Sequence, residues 1–144
     1  MTYPKTTLIW LNFNSMHVMD LIKQSLSSLF SLDYADYEVI VVDNGSTDGS
    51  YKEIKRYLNS RISQNRKVRL LGLSRNFGFT GGINGGYRLR NRDSTYVAIV
   101  NSDCVAYPDS LKILIDYSEN DKRIGAVQGV IAKLNRKVIA SAGG

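Results

Sequence analysis

Apolar residues occur along this chain in two alternating patterns, short continuous runs and longer stretches with helical spacing. The continuous runs predict strands, of which the first is expected to be buried and the second to be a parallel strand covered on both faces. These strands are predicted over residues 6–11, 38–42, 68–73, 96–100 and 124–132. Between the runs, apolar residues recur every three or four positions and predict amphipathic helices that start near residues 15, 50 and 108. Alternating strands and helices indicate an α/β fold with a mostly parallel sheet and helices on both faces.

Local signals refine two of the connections. Ser15 is suited to be the N-cap of the first helix. Residues 78–86 contain five glycines, each of which costs about 1 kcal/mol in a helix interior, so we predict a glycine-rich loop over residues 74–86 that leads into a short helix. The bare backbone allows close approach of a ligand or of a neighbouring strand, or it makes the loop flexible. The spacing differs from the P-loop pattern, and the Lys-Ser/Thr ending is missing.

Polar side chains follow four of the predicted strands. They are Asn12 and Asn14, Asp43 and Asn44, Arg75 and Asn76, and Asn101 and Asp103. In an open α/β sheet, ligands bind beyond the carboxyl ends of the strands. The sequence therefore predicts a site for a small polar ligand at this edge.

Two carboxylates in this set suggest specific contacts. Asp43 can accept hydrogen bonds from a base N–H or a ribose hydroxyl, or it can close a turn through Asn44–Ser46. Asp103 can hold a hard divalent cation together with diphosphate oxygens and water, or it can form a turn near Pro108. Asp48, just before a helix, is better explained as a cap for free backbone N–H groups.

Composition limits the class of protein. The chain has 144 residues and is predicted to form one domain over residues 1–144. Its single cysteine, Cys104, excludes an internal disulfide and favours a reducing, cytoplasmic compartment. No stretch approaches the length of a membrane span. His17 is expected on the surface and Trp10 in the core.

The net charge of +6 does not by itself identify a partner. The densest basic group comprises Arg56, Arg61, Arg66, Lys67 and Arg69. A solvated face explains this group most simply, while an anionic donor, a lipid-phosphate acceptor or an anionic membrane surface are alternatives. We expect no nucleic-acid partner, because no basic stripe is interleaved with aromatic residues.

Four segments, taken in order, resemble the motifs of glycosyltransferase family 2, particularly its rhamnosyltransferase-like branch. They are Leu11–Ser15, Val41–Ser50, the Arg75–Phe79 block continued by Gly81–Gly85, and Asn101–Asp103. The resemblance implies a GT-A, Rossmann-like fold that binds a nucleoside diphosphate sugar and transfers the sugar with inversion of configuration. It also implies a role in the synthesis of cell-surface polysaccharides or glycoconjugates.

The resemblance also implies residue roles. Asp43 would contact the base with Asn12 near it, Arg75 and Asn76 would line the nucleotide pocket, Gly81, Gly82 and Asn84 would border the ribose and diphosphate beside Asn101, and Asp103 would hold Mg or Mn. Asn101 stands where the family's metal motif usually has an aspartate, which leaves one anionic ligand. The general base is expected beyond Gly144, so the chain is interpreted as the N-terminal part of a longer domain.

Other functions remain open at this stage. A truncated or degenerate module that binds nucleotide or a partner without transferring sugar would have the same motifs. A nucleotidyltransferase is disfavoured, because its glycine-rich signature near the first strand is absent. A glycan, a lipid-linked or a protein acceptor, peripheral association with the inner face of a membrane, and self-association are all compatible with the sequence.

Overall fold

The fold is a parallel sheet with helices on both faces. The computed structural model describes residues 3–62, 67–133 and 139–141. The strands of the main sheet are β1 (Thr6–Asn12), β2 (Tyr37–Asp43), β3 (Val68–Gly72) and β4 (Tyr96–Asn101). The helices are α1 (Met19–Phe30), which follows a 3-10 helix at Met16–Val18, α2 (Ser50–Ile62), α3 (Gly78–Leu89) and α4 (Ser110–Asn120). Among the helices described, none has the length and apolar character needed to cross a membrane.

The main sheet confirms the predicted strands and their parallel arrangement. Its order is β3-β2-β1-β4, and each neighbouring pair is parallel. The two central strands are almost fully buried, as their continuous apolar runs predict. Since all four strands run in the same direction, the loops that follow them lie at one edge, the carboxyl edge.

The two faces of the sheet are covered unequally. On one face, α1, α2 and α4 enclose the larger core, which is centred on the fully buried Trp10 and includes Leu26, Leu58 and Ile115. On the other face, α3 packs over β1 and β2 through a smaller cluster of Ile9, Ile40, Val42 and Ile83. The prediction of helices on both faces is confirmed.

The prediction of a glycine-rich loop over residues 74–86 is wrong for most of that range, because residues from Gly78 onward form α3. The glycines allow this helix to lie close to the sheet. A Cβ at Gly82 would lie 2.5 Å from Leu11 Cδ1, and one at Gly86 would lie 2.7 Å from Ile9 Cγ2. Close approach to the strands, one of the alternatives for this segment, therefore explains Gly82 and Gly86.

The predicted strand over residues 124–132 is also wrong for most of its length. Only β5 (Ile131–Ala132) is a strand, and it pairs antiparallel with β6 (Ile139–Ser141), apart from the main sheet. Val130 and Ile131 are 65% and 40% exposed, so the apolar run is not buried as a parallel strand would be. The apolar pattern of residues 124–132 could not indicate whether a neighbouring strand is available to pair with this segment.

Candidate functional site

The loops that follow β1, β2 and β3 are joined side by side at the carboxyl edge of the sheet. The backbone N–H of Asn44 donates to the carbonyl of Asn12 at 2.8 Å, and that of Leu73 donates to the carbonyl of Asp43 at 2.9 Å. These bonds extend the sheet ladder beyond the strands. The first polar residues after β1 and β2 are thus held in a fixed arrangement.

Asp43 is the most enclosed carboxylate at this edge, with 2% of its surface exposed. Its Oδ1 accepts hydrogen bonds from Asn12 Nδ2 at 2.8 Å and from Ser46 Oγ at 2.7 Å. Its Oδ2 accepts one from the backbone N–H of Ser46 at 2.9 Å, which closes the turn that the sequence suggested as an alternative. An ionised carboxylate accepts about four hydrogen bonds, so Oδ2 retains capacity for one further donor.

Asn12 is fully buried, and its amide holds Asp43 in place. The same amide group lies 3.3 Å from the hydroxyl oxygens of Ser46 and Ser50. On its other side, Asn12 Oδ1 accepts a hydrogen bond from Ser15 Oγ. Ser15 stands at the N-cap position of the 3-10 helix that leads into α1, but its hydroxyl bonds to Asn12 and makes no cap hydrogen bond, and the N-cap position of α1 itself is Val18.

The β1–α1 and β2–α2 loops hold each other through two further side chains. Asn14, whose φ is +46°, accepts a hydrogen bond from the Thr47 N–H at 2.8 Å. Asp48 accepts from the backbone N–H of Met16 at 2.8 Å and of Ser50 at 2.9 Å, so its predicted capping role is confirmed. Slight burial raises the pKa of the Asp48 carboxyl, but hydrogen bonds from the Ser50 hydroxyl and these N–H groups lower that pKa below its ordinary value.

Asn44 connects this group to the loop between β3 and α3. It is 2% exposed, and its Nδ2 donates to Asn76 Oδ1 at 2.9 Å and to the carbonyl of Gly78 at 3.0 Å. Its Oδ1 accepts from the N–H of Phe77 at 3.0 Å. The predicted site residue Asn76 is thereby joined to the residue that follows Asp43, a contact between two loops that the sequence did not predict.

Arg75 lies at the same edge with its side chain exposed. Gly45, at φ +73°, packs against its backbone, and a Cβ at Gly45 would lie 2.3 Å from the Arg75 carbonyl carbon. The Arg75 guanidinium is 4.9 Å from the centre of the Phe77 ring. The β2–α2 loop therefore fixes the backbone of Arg75 and leaves its charge in solvent.

An open cleft of about 330 Å³ runs beside Asp43. It is lined by Asp43, Gly45, Ser46, Thr47, Tyr51, Gly72, Leu73 and Ser74. Its volume lies at the small end of the range of about 300 to 1,000 Å³ for ligand pockets. Tyr51, the second residue of α2, was not among the predicted site residues. Gly72, where a Cβ would lie 3.0 Å from the Tyr51 ring, was the available signal.

The predicted residues on α3 differ in their distance from this group. Gly82 is buried beneath Asn44, to which a Cβ at Gly82 would approach within 3.3 Å, and it belongs to the same cluster. Gly81 packs against the Phe77 side chain, and Asn84 is exposed further along the helix. The N-terminus of α3 faces the carboxyl edge, where free backbone N–H groups attract anions.

Asn101 is the last residue of β4 and Asp103 follows the strand, and both are exposed. Asn101 lies opposite Leu11 in the sheet register, and its carbonyl accepts from the Cys104 N–H at 3.1 Å, which closes a turn around Asp103. The described part of the chain contains no cluster of three or more His, Cys, Asp or Glu side chains. Burial raises the pKa of the Cys104 thiol, and the nearby Asp103 charge raises it further, so this thiol stays protonated near neutral pH.

The turn that carries Asp103 is attached to α1 and to the core. Ser25 Oγ donates to the carbonyl of Cys104 and accepts from Trp10 Nε1 at 3.0 Å, and the N–H of Ala106 donates to a second α1 serine, Ser28, at 3.0 Å. The core thus determines where Asp103 stands.

Two described members of the predicted basic group pair with glutamates. Arg56 pairs with a glutamate one turn earlier in α2, and Arg69 pairs with Glu38 at 2.7 Å. Arg66 and the side chain of Arg61 lie outside the described residues. The paired members agree with a solvated face, and His17 is exposed as predicted.

Comparison with known sequences gives a family match over most of the chain. Residues 9–139 match the family described as Glycosyl transferase family 2. Poly-beta-1,6-N-acetyl-D-glucosamine synthase from Staphylococcus aureus (strain MSSA476) is 27% identical over 110 residues, which are 76% of this chain and 25% of that protein. The synthase of the same name from Staphylococcus epidermidis is 26% identical over 108 residues, or 75% of this chain and 24% of that protein. The chain spans about a quarter of the length of these relatives.

Solved structures share the fold at lower sequence identity. The mannosyltransferase PcManGT from Pyrobaculum calidifontis, in complex with GDP-Man and Mn2+, matches with a TM-score of 0.70 and 24% identity. S. aureus TarS in complex with UDP matches with a TM-score of 0.64 and 24% identity. Each match covers 81% of this chain and 32% of the other. The predicted GT-A fold class is confirmed.

Proposed function

This chain belongs to glycosyltransferase family 2, and from that premise we propose that it binds a nucleoside diphosphate sugar for transfer to an acceptor hydroxyl group with inversion of configuration. The observation that carries the proposal is the buried Asp43 carboxylate, which lines the cleft with one acceptor position unused. Two structures of this fold hold related ligands, namely the nucleoside diphosphate sugar GDP-Man in the mannosyltransferase and the nucleoside diphosphate UDP in TarS. We extend that ligand class to this chain.

The nucleoside is assigned to the cleft. Asp43 accepts a hydrogen bond from a base N–H or a ribose hydroxyl, because an ionised carboxylate is a pure acceptor. Asn12 is fully buried, so its part is to orient Asp43 and not to touch the ligand. Tyr51 and residues 72–74 also line this cleft.

The diphosphate is assigned to the space between the β3–α3 loop and β4. The exposed Arg75 supplies a positive charge, and Asn76 precedes the N-terminus of α3, whose dipole favours anions. We assign Gly81, Gly82 and Asn84, which lie further along α3, to the border of the same site. Arg75 and this helix end thus replace part of the hydration that the phosphates lose on binding.

A divalent cation, Mg or Mn, would be held by Asp103 with Asn101 beside it. The donor set fits, because Mg²⁺ takes one or two carboxylates and completes its shell with phosphate oxygens and water. Both side chains are exposed at the correct edge, and the turn between them is closed by the Cys104 N–H. When bound, such an ion would neutralise charge on the leaving diphosphate. With one carboxylate and an amide, the chain alone would bind the ion weakly.

Transfer then requires one displacement at the anomeric carbon. The acceptor hydroxyl attacks from the face opposite the diphosphate, so the configuration inverts. No described carboxylate is assigned as the general base. The names of the curated relatives favour a polysaccharide acceptor, while lipid-linked and protein acceptors remain alternatives.

Calorimetric titration tests the proposal. The chain is titrated with UDP, GDP and dTDP, each with and without Mn²⁺ or Mg²⁺, and compared with Asp43→Ala, Asp103→Ala and the control Asp93→Ala. We expect Asp43→Ala to weaken binding by at least about tenfold, or about 1.4 kcal/mol. Asp103→Ala should remove only the metal-dependent part of nucleotide binding. Asp93→Ala should leave binding unchanged, because Asp93 is exposed and lies at the opposite, amino edge of the sheet.

Two results would contradict the proposal. A folded chain that binds none of the nucleotides would favour a scaffolding module without donor binding. Binding that survives Asp43→Ala would place the nucleoside elsewhere than in the cleft.

A further inference from the structure

The β2–α2 and β3–α3 loops meet through the single buried side chain of Asn44. All three of its side-chain hydrogen bonds go to consecutive residues, to Asn76 Oδ1, to the Phe77 N–H and to the Gly78 carbonyl. Its own backbone N–H is bonded to the Asn12 carbonyl at 2.8 Å. Asn44 therefore joins the strand ends that hold Asp43 to the loop that holds Arg75 and starts α3.

The two loops also fit each other sterically around Asn44. Gly45 leaves no space for a side chain against the backbone of Arg75, and Gly82 leaves only 3.3 Å between an added Cβ and the Asn44 amide. A side chain other than asparagine would have to match this space, offer N–H groups to two acceptors and accept from one donor. Asparagine meets all three requirements.

The surroundings of Asn44 indicate that its side chain matters more for the position of the β3–α3 loop than for the stability of the fold. Its partners Asn76, Phe77 and Gly78 are all exposed residues, although Asn44 is buried. If the side chain of Asn44 were removed, water could replace most of the hydrogen bonds that the loop loses, because the loop is exposed. The fold would therefore be only moderately destabilised. What would be lost is the fixed position of the loop.

We propose that Asn44 is a positioning residue for donor binding, which holds the Arg75–Gly78 loop and the start of α3 at the correct distance from Asp43. This inference rests on the proposed function. In it, Asp43 binds the nucleoside and the loop binds the diphosphate, so one ligand must reach both. Asn44 fixes the distance between them before the ligand arrives, and binding then requires less ordering of the loop.

The test compares Asn44→Ala with a matched control, Thr7→Val. Thr7 is also fully buried and hydrogen-bonded through its side chain, to Glu38 and Ser94, but it lies at the opposite edge of the sheet. Three quantities are measured, namely nucleotide affinity by calorimetry, the midpoint of thermal unfolding, and hydrogen exchange of the Phe77 amide by NMR without nucleotide.

We expect Asn44→Ala to weaken nucleotide binding by about tenfold or more and to lose protection of the Phe77 amide. Thr7→Val should lower the unfolding midpoint by a similar amount and leave both other readouts unchanged. Should Asn44→Ala fail to fold, the near-isosteric Asn44→Asp carries the test. It keeps the acceptor for Phe77 and loses both donors, so the Phe77 amide should stay protected while affinity falls severalfold.

The outcomes distinguish this inference from the function on which it rests. If the unsubstituted chain binds no nucleotide, both fail. If it binds nucleotide and the Asn44 variants bind equally well, only the inference fails. A loss of affinity that Thr7→Val shows to the same extent would make Asn44 a structural residue and would also overturn the inference.

Discussion

At the scale of single residues, the two edges of the sheet use buried polar groups in different ways. At the carboxyl edge, Asp43 keeps one acceptor position unused. At the amino edge, Glu38 accepts from the Thr7 hydroxyl at 2.7 Å, from the Asn91 N–H at 2.6 Å and from Arg69 at 2.7 Å. We interpret the first carboxylate as available to a ligand and the second as part of the framework.

The pKa of Glu38 gives a prediction about acid stability. Partial burial raises the pKa of its carboxyl, but the hydrogen bonds from Asn91 and Thr7 and the Arg69 charge lower that pKa below its ordinary value. A lowered folded-state pKa adds stability that is present above the unfolded-state pKa and is lost as pH falls through the folded-state pKa. Glu38→Gln should therefore cost about 1 to 2 kcal/mol near pH 7.

Urea unfolding at a series of pH values checks this. The difference between the unsubstituted chain and Glu38→Gln should shrink as pH falls below about 4.5. Glu53→Gln, which breaks a surface ion pair on α2, is the control and should cost about 0.5 kcal/mol or less. A difference for Glu38→Gln that stays constant with pH would show that the carboxylate charge contributes nothing.

At the scale of secondary-structure elements, α3 is a helix that could not be predicted from the sequence. Intrinsic propensity disfavours a helix with five glycines in its first nine residues. The helix forms because tertiary packing over Ile9 and Val42 outweighs propensity, and propensity carries no information about that packing. The two central strands, β1 and β2, were predictable for the opposite reason, since burial on both faces leaves a continuous apolar run in the sequence itself.

Two neighbouring glycines of α3 should respond to alanine in opposite directions. At Gly86 an added Cβ would lie 2.7 Å from Ile9 Cγ2 and 3.0 Å from Val42 Cγ2, both on stiff β-branched side chains. We expect Gly86→Ala to destabilise the chain by about 1 to 3 kcal/mol. At Gly85 the nearest atom is Leu71 Cδ2 at 3.4 Å, so Gly85→Ala should be neutral or stabilise by up to about 1 kcal/mol.

The midpoint of thermal unfolding separates the two substitutions. Equal shifts for Gly85→Ala and Gly86→Ala would mean that α3 lies farther from the sheet than described.

At the scale of the whole molecule, the covering of the sheet is uneven. The helix α3 lies over β1 and β2, and Val97 and Ile99 on β4 remain 37% and 54% exposed. Within the described ranges, β4 also has no strand on its outer side. An apolar face beside an open strand edge favours association.

Substitution at Ile99 tests this expectation. Ile99→Thr should change the free energy of unfolding by less than about 0.5 kcal/mol, because the side chain is half exposed. It should also reduce self-association in sedimentation velocity at high concentration. The matched control is Ile40→Thr on β2, which is fully buried and should destabilise the chain instead. If the unsubstituted chain and Ile99→Thr show the same degree of self-association, the expectation is contradicted.

Much of the site could be predicted because polar residues end each parallel strand, and the fold brings those ends to one edge. Asp43, Asn44 and Asn76 were found in this way, while the loop-joining contacts of Asn44 and the place of Tyr51 in the cleft were not. Both depend on which loop lies beside which, and that is determined by strand order. Nothing in the local sequence distinguishes Asn44 from an ordinary turn residue.

The hydrogen bond between Trp10 and Ser25 has a spectroscopic consequence. Trp10 is the chain's single tryptophan and is fully buried, and the serine that accepts from its indole also bonds to the Cys104 carbonyl, next to Asp103. Any shift of that turn changes the polarity around the indole, and so the wavelength and yield of its fluorescence. The chain thus carries an intrinsic optical reporter of events at Asp103, readable without a label.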